Sequence, residues 1–130
     1  MTQIRALFAG LIAVILVGAM PASAAEWKDY SPEALAEAQE AGKPILVDTF
    51  AVWCAVCRAQ NPILVQLTRE PKYKDLVVFK ADFDKQKGDL RKLNVQRQST
   101  LIVFKGNEEI DRSIGDTSAF SIEGLLDKTL

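Results

Sequence analysis

The chain is organised around residues 47–58, VDTFAVWCAVCR, which join an apolar strand pattern to two cysteines separated by two residues. Cys54 and Cys57 are the only cysteines among the 130 residues. Apolar residues recur at helical spacing after Cys57, so we expect the pair at the first turn of a helix. Two sulfurs with that placement come within disulfide distance. The stretch therefore predicts a dithiol where a buried strand runs into a helix.

The composition is that of an ordinary globular domain, and it excludes several classes of function. Hydrophobic residues make up 48% of the chain and charged residues 25%, which favours one folded domain over disorder. The 16 basic and 17 acidic residues give a net charge of −1, so there is no electrostatic case for binding nucleic acid. Histidine is absent, which excludes mechanisms of the Ser-His-Asp and Cys-His types.

Residues 1–24 have the pattern of an export signal. A positive charge at Arg5 precedes an uncharged apolar run over residues 6–20, and the small residues Ala-Ser-Ala end the segment. The run of about 15 residues is shorter than the roughly 20 that span a membrane. A signal peptide cleaved after Ala24 is therefore favoured over an uncleaved membrane anchor. Both interpretations place the domain in an extracytoplasmic compartment such as the periplasm, where disulfides persist.

The remaining residues, 25–130, are expected to form one α/β domain with the element order β, α, β, α, β, α, β, β, α. Strands are predicted at residues 26–30, 44–51, 76–83, 100–105 and 108–114, and helices after Ser31, at residues 54–69, around Leu90 and Leu93, and along Ile122, Leu125, Leu126 and Leu130. Alternating strands and helices favour parallel pairing, and the closing hairpin favours an antiparallel edge. We therefore predict one mixed sheet with helices on both faces.

The cysteine pair has three interpretations. In a redox pair, the helix N-terminus would stabilise a thiolate on Cys54, which attacks a substrate disulfide before Cys57 resolves the mixed disulfide. A structural zinc site needs four ligands, so a metal would have to be shared with a partner. A purely structural disulfide would close too short a loop to contribute much stability. The arrangement strand, tryptophan, Cys-x-x-Cys, helix favours the redox pair.

Residues 50–57, FAVWCAVC, resemble the active-site signature of the thioredoxin family. The resemblance covers essentially the whole of residues 25–130, with Pro62 at the family's helix kink and Gly115 at a glycine of its last hairpin. Together with the export signal, residues 43–44 and 53–57 look most like the periplasmic C-terminal domain of the bacterial DsbD-type reductases.

This resemblance implies the thioredoxin fold and thiol–disulfide exchange with protein disulfide or dithiol substrates. It also implies a membrane-bound thiol electron donor and no bound cofactor, since the Cys54–Cys57 disulfide is itself the redox centre. We expect the protein to be a monomer.

The resemblance assigns roles to three further residues. Asp48 matches a buried carboxylate that exchanges the proton of Cys57, and burial raises the pKa of such a group. Its alternative is an aspartate at a partly wet strand position. Lys80 matches the lysine beside this carboxylate, or else extends to water. Trp53 is expected to shield the sulfur of Cys54 and to offer substrate a flat surface, or else to be a core aromatic residue.

The family pattern breaks in the loop that faces the dithiol, here Arg97, Gln98, Ser99 and Thr100, where Ser99 replaces a cis-proline. A cis bond before a non-proline residue costs about 2.5–4 kcal/mol, so we expect a trans bond. In family members the backbone of this loop pairs with the substrate, here through Gln98, so these four residues are the predicted substrate-binding loop. The Ser99 hydroxyl is a candidate hydrogen-bond donor to a Cys54 thiolate, and Arg97 is a candidate for lowering the pKa of that thiol.

The sequence therefore predicts an exported thiol–disulfide oxidoreductase, with Cys54 as nucleophile, Cys57 as resolving thiol and Asp48 as proton-transfer group. The reducing direction is favoured because the histidine of strongly oxidising Cys-Pro-His-Cys sites is missing. The alternative is a non-catalytic thioredoxin-like binding module, a chaperone or metal-delivery protein that uses the two thiolates.

Overall fold

A computed structural model of the protein describes residues 15, 18, 19 and 24–130. Apart from those few positions, the expected signal peptide at residues 1–24 lies outside the described residues and stays a prediction. Ala25 is already tied to the fold, because its amide donates to the carbonyl of Thr68 at 3.0 Å. None of the helices within residues 24–130 is long and apolar enough to cross a membrane.

The described chain forms its strands and helices in the predicted order. The strands are β1 (Glu26–Asp29), β2 (Pro44–Phe50), β3 (Val77–Asp82), β4 (Thr100–Lys105) and β5 (Glu108–Ile114), and the helices are α1 (Pro32–Glu40), α2 (Ala55–Leu67), α3 (Lys87–Lys92) and α4 (Ala119–Asp127). A short 3-10 helix, Pro71–Tyr73, lies between α2 and β3. The predicted strand ends differ from these by at most one residue.

The strands form one mixed sheet in the order β1-β3-β2-β4-β5. Strand β3 is parallel to both β1 and β2, whereas β4 is antiparallel to both β2 and β5. This confirms the predicted α/β fold with a parallel part and a closing antiparallel hairpin. The register sets Asp48 of β2 directly opposite Lys80 of β3, near the middle of the sheet.

Two hydrophobic cores cover the two faces of the sheet, because successive strand residues point to opposite sides. On one face, Val47 packs with α1 and α3 through Leu35 and Leu90. On the other face, Leu46 packs with α2 and α4, and Leu64 belongs to that cluster. The near-continuous apolar pattern of β2 follows from this burial on both sides.

Signals in the local sequence set several element ends. The Ser31 hydroxyl accepts a hydrogen bond from the Ala34 amide at 3.0 Å and so caps α1, with Pro32 at the first helical position. Gly106 and Asn107 form the two-residue connection between β4 and β5, and Gly106 has a φ of 56° that suits glycine.

Helix α1 ends at its C-cap Ala41, and Gly42 follows at a φ of 68°, the left-handed conformation that commonly ends a helix. One detail of the sequence prediction is wrong. Leu130 lies beyond the end of α4 and is 57% exposed, so it does not extend the apolar face of that helix. Its carbonyl instead accepts a hydrogen bond from Lys105 Nζ at 2.8 Å, which holds the chain end through the backbone.

Candidate active site

The two cysteines lie at the start of α2, just after the carboxyl end of the central strand β2. They form a disulfide, with their Cα atoms 5.3 Å apart, and both are buried. Cys54 is the N-cap residue, and its sulfur accepts a hydrogen bond from the Cys57 amide at 3.1 Å. Amides at a helix N-terminus have no partner in the helix and carry partial positive charge. The geometry therefore favours a thiolate on Cys54 once the pair is reduced.

Asp48 and Lys80 form an ion pair between β2 and β3. Asp48 is only 2% exposed, and Lys80 Nζ donates to its Oδ2 at 2.8 Å. Burial raises the pKa of the Asp48 carboxyl, and the neighbouring Lys80 ammonium partly opposes that rise. Asp48 is therefore buried and does not occupy a partly wet strand position. Lys80 lies beside this carboxylate and pairs with it. The proton-transfer role of Asp48 remains a prediction.

An open cleft connects this pair to the second cysteine. It has a volume of about 410 Å³ and is lined by Phe50, Ala51, Val52, Cys57, Arg58, Asn61 and Lys80. Lys80 Nζ also donates to Asn61 Oδ1 at 3.4 Å and lies 4.6 Å from the centre of the Phe50 ring. Because Cys57 and Lys80 line one water-accessible cleft, a proton leaving the Cys57 thiol has the Lys80–Asp48 pair close by.

Trp53 lies at the surface next to Cys54. Its side chain is 57% exposed, so it is not a core aromatic residue, and its indole N–H donates to Asp84 Oδ2 at 2.7 Å. Val52 and Val56 are exposed as well. These three side chains give the surface beside the disulfide an apolar character. Asp84 was not among the predicted site residues, because an exposed aspartate in a charged segment carries no signal of its own.

The 97–100 loop has a trans backbone, since the described residues contain no cis peptide bond. Ser99 is buried and adopts a left-handed φ of 58°. Its hydroxyl donates to the carbonyl of Gln98 at 2.6 Å, so its one proton is used within the loop while Cys54 is part of the disulfide. A hydrogen bond from this hydroxyl to a reduced Cys54 thiolate stays a prediction. The Thr100 hydroxyl donates to the Arg97 carbonyl at 2.7 Å, and Arg97 itself is exposed.

Gln60 completes the contacts of this loop and was missed in the sequence. Its side chain, on α2 one turn after Cys57, is 1% exposed, and its amide nitrogen donates to carbonyls of Ser99 and Asp116. A single glutamine within a helical pattern carries no signal, because its partners are distant in the sequence.

The described residues offer little to a metal ion. Within residues 24–130, no three Cys, Asp or Glu side chains converge as a metal site requires. The thiolates of Cys54 and Cys57 would supply two of the four ligands of a structural zinc. Metal bound at this pair would therefore need ligands from a second molecule.

Comparison with known proteins identifies the family. Residues 28–128 match the thioredoxin family. The chain belongs to the thioredoxin family. It is 38% identical over 81 residues to a thioredoxin H-type of Brassica campestris, a match that covers 62% of this chain and 64% of that relative's length. It is 34% identical over 84 residues to a thioredoxin of Chlamydia muridarum, covering 65% of this chain and 80% of the relative.

Solved structures agree with this assignment. The crystal structure of Trxlp from Edwardsiella tarda has a TM-score of 0.76 and 42% identity, and the match covers 78% of this chain and 98% of that one. The reduced Schistosoma mansoni thioredoxin pre-protein has a TM-score of 0.68 and 27% identity, covering 83% and 100% of the two chains. The thioredoxin fold is thereby confirmed. These relatives carry no DsbD-type description, so the likeness to that subtype remains a prediction.

Proposed function

We propose that this thioredoxin-family protein is an exported thiol–disulfide oxidoreductase that reduces protein disulfides, or relays electrons to them, through Cys54 and Cys57. One observation carries the proposal. The Cys54 sulfur caps α2 and accepts the Cys57 amide at 3.1 Å, which is the position where a helix stabilises a thiolate. No bound cofactor takes part, because the disulfide itself holds and releases the two electrons.

The proposed reaction has two exchange steps. The Cys54 thiolate attacks one sulfur of a substrate disulfide, which forms a mixed disulfide and releases the other substrate sulfur as a thiolate. Cys57 then loses its proton and attacks the Cys54 sulfur. The Cys54–Cys57 disulfide forms, the second substrate thiolate leaves, and two electrons have passed from the protein to the substrate. A dithiol donor returns the pair to its reduced state.

Asp48 is the proposed acceptor of the Cys57 proton. Burial raises the pKa of its carboxyl towards that of a thiol, which makes proton transfer between the two groups easier. Lys80 stays paired with the carboxylate at 2.8 Å and stabilises the charged form when the proton has left. Cys57 and Lys80 line the same cleft, which also gives water access for the proton to escape.

Substrate is proposed to bind across the exposed surface beside the disulfide. Val52, Trp53 and Val56 offer an apolar surface, and Trp53 is held in place by its hydrogen bond to Asp84. The backbone of Gln98 is proposed to pair with an extended segment of the substrate chain. A protein disulfide in an extended segment fits this arrangement better than a small thiol does.

The proposed location is the periplasm, after cleavage behind Ala24, where the monomeric domain would receive electrons from a membrane-bound thiol donor. The apolar run at residues 6–20 and the likeness to DsbD-type domains support this part of the proposal. Expression of the full chain in a bacterium tests it. We expect a periplasmic product whose first residue is Ala25, whereas full-length protein retained in the membrane fraction would contradict cleavage.

Reduction of insulin by dithiothreitol tests the activity. We expect wild-type protein to accelerate the reaction and Cys54→Ser to leave it at the background rate, while Cys57→Ser accumulates mixed disulfides. Equal rates for wild type and Cys54→Ser would sink the enzymatic interpretation and leave the binding module. The reduction potential of the pair then gives the direction, since a strongly negative value means a reductase and a value near the oxidising end means disulfide formation.

A further inference from the structure

Gln60 links three segments that are far apart in the sequence. Its amide nitrogen donates to the Asp116 carbonyl at 2.8 Å and to the Ser99 carbonyl at 3.4 Å. The Ser99 carbonyl also accepts the amide of Gly115 at 3.0 Å, so both of its lone pairs are used. One buried side chain therefore joins the active-site helix to the 97–100 loop and to the segment that follows β5.

Ser99 needs such contacts because its backbone conformation is unfavourable. A φ of 58° puts a residue with a Cβ in the left-handed region, where the Cβ lies too close to the following carbonyl oxygen. Every polar group of Ser99 has a partner: its amide donates to Thr49 at 2.8 Å, its hydroxyl donates to Gln98, and its carbonyl accepts from Gly115 and Gln60. The loop is thus held by hydrogen bonds in a conformation that proline could not adopt, because its ring fixes φ at about −65°.

The glutamine is not explained by core packing. Its Oε1 atom is buried without a hydrogen-bond partner among the described residues, and leaving an acceptor buried and unsatisfied destabilises the folded protein. A leucine of similar size at the same helix position would avoid that cost. What leucine lacks is the two donors on the amide nitrogen, so the distinctive contribution of Gln60 is its link to Ser99 and Asp116.

We infer that Gln60 is a positioning residue for substrate binding, which holds Ser99 in its left-handed trans conformation and thereby fixes the backbone of Gln98 beside the disulfide. The structure ties Ser99 to both sides of the cysteine pair. Its amide donates to the carbonyl of Thr49 near the end of β2, and its carbonyl accepts from Gln60, one turn after Cys57. The step from a fixed loop to bound substrate rests on the proposed function. Loss of Gln60 should therefore affect large substrates that use the loop and spare small ones that do not.

Gln60→Leu tests this inference, with Thr68→Val as its matched control. Thr68 is a buried polar residue at the other end of the same helix, and its hydroxyl donates to the Leu64 carbonyl at 2.7 Å. Second-order rate constants of each reduced protein are measured with insulin and with the small disulfide DTNB. We expect Gln60→Leu to lower the insulin rate about tenfold and to change the DTNB rate less than about twofold. Thr68→Val should leave both rates unchanged.

A purely structural role would lower both rates together or neither, so an unchanged ratio of the two in Gln60→Leu overturns the inference. Ser99→Gly provides a further check, because glycine adopts the left-handed conformation without help. In that background Gln60→Leu should cost much less of the insulin rate.

Amide hydrogen exchange separates this inference from the proposed function. If wild-type protein reduces DTNB but not insulin, the proposed function has failed. The positioning role of Gln60 is then tested by the hydrogen-exchange rates of the Ser99 and Gly115 amides. Faster exchange at both in Gln60→Leu supports the positioning of the loop, and unchanged exchange refutes it.

Discussion

Asp48 is an ionisable group placed where ionisation is unfavourable, and this gives stability a pH dependence of known sign. Burial raises the folded-state pKa of its carboxyl above the unfolded value, so the folded protein binds more protons in the interval between the two. Stability therefore falls as the pH rises through that interval and stays lower above it. Lys80 reduces the effect without cancelling it.

Asp48→Asn should be more stable than wild type at pH 8, because it removes the buried charge. We expect a gain in the free energy of unfolding of about 1–3 kcal/mol for the oxidised protein, since Lys80, with 25% of its side chain exposed, stays hydrated when its partner is neutral. The gain should shrink as the pH is lowered towards 4 through the raised pKa of the wild-type carboxyl, because that carboxyl then takes up a proton as well. Urea unfolding at the two pH values measures it, with Asp75→Asn as a control at an exposed aspartate. A gain of the same size at both pH values would show that the charge is not responsible.

The same substitution should slow catalysis, because Cys57 loses its proton acceptor. At pH 7 we expect the rate of insulin reduction to fall about tenfold in Asp48→Asn. This is less than the roughly 10²–10⁴-fold that a general base usually contributes, because water in the open cleft beside Cys57 can also take up the proton. The loss should be smaller at pH 9, where hydroxide is abundant enough to take the proton in place of the missing carboxylate. Rates measured across this range give the result. An equal loss at pH 7 and pH 9 would remove Asp48 from the proton-transfer step.

In the 97–100 loop, the backbone conformation reverses the usual order of stability between alanine and glycine variants. Alanine normally makes a chain more stable than glycine does, because glycine has more freedom in the unfolded state. At Ser99, with its φ of 58°, the left-handed conformation penalises any Cβ. We expect Ser99→Gly to be more stable than Ser99→Ala by about 1 kcal/mol in thermal unfolding. Both variants lose the hydroxyl, so the comparison isolates the backbone. A more stable alanine variant would mean that the loop relaxes out of this conformation.

What could be predicted from the sequence were the elements whose signals are local. The ends of β4 and β5 follow from Gly106 and Asn107, and the start of α1 follows from Ser31 and Pro32. The conformation of Ser99 could not be predicted in this way. It depends on partners at positions far along the chain, which only the folded sheet brings together.

The candidate site divides in the same manner. The position of Cys54 at a helix start follows from neighbouring residues, whereas the pairing of Asp48 with Lys80 depends on the register between β2 and β3. That pairing was anticipated from the family resemblance and not from any local pattern. The role of Gln60 could be predicted neither from a local pattern nor from the family resemblance. Its two acceptors are backbone carbonyls, which every residue has, so they leave no mark in the sequence.

A cluster formed by Lys72, Tyr73 and Asp127 lies at the opposite end of the molecule from the candidate site. The disulfide follows the carboxyl end of β2, whereas Pro44 at the amino end lines a cleft with Tyr73 and Leu76. The Tyr73 hydroxyl donates to Asp127 Oδ1 at 2.5 Å, and Lys72 Nζ lies 2.9 Å from the same oxygen. The seven residues of β2 span about 20 Å, so this cluster should act on stability and not on catalysis.

Tyr73→Phe should therefore lower stability and leave the activity intact. Losing one hydrogen bond to a charged acceptor should cost about 1–2 kcal/mol in urea unfolding at pH 7. Tyr73 and Lys72 hold the pKa of Asp127 below its usual range, so this contribution should be present at neutral pH and lost as the pH falls through that lowered pKa. In an Asp127→Ala background the same substitution should cost much less, because the acceptor is gone.

Insulin reduction by folded Tyr73→Phe should match the wild-type rate, since a hydroxyl at the far end of β2 touches neither the disulfide nor the 97–100 loop. A slower rate at full folding would mean that the docking of α4 influences the site across the sheet.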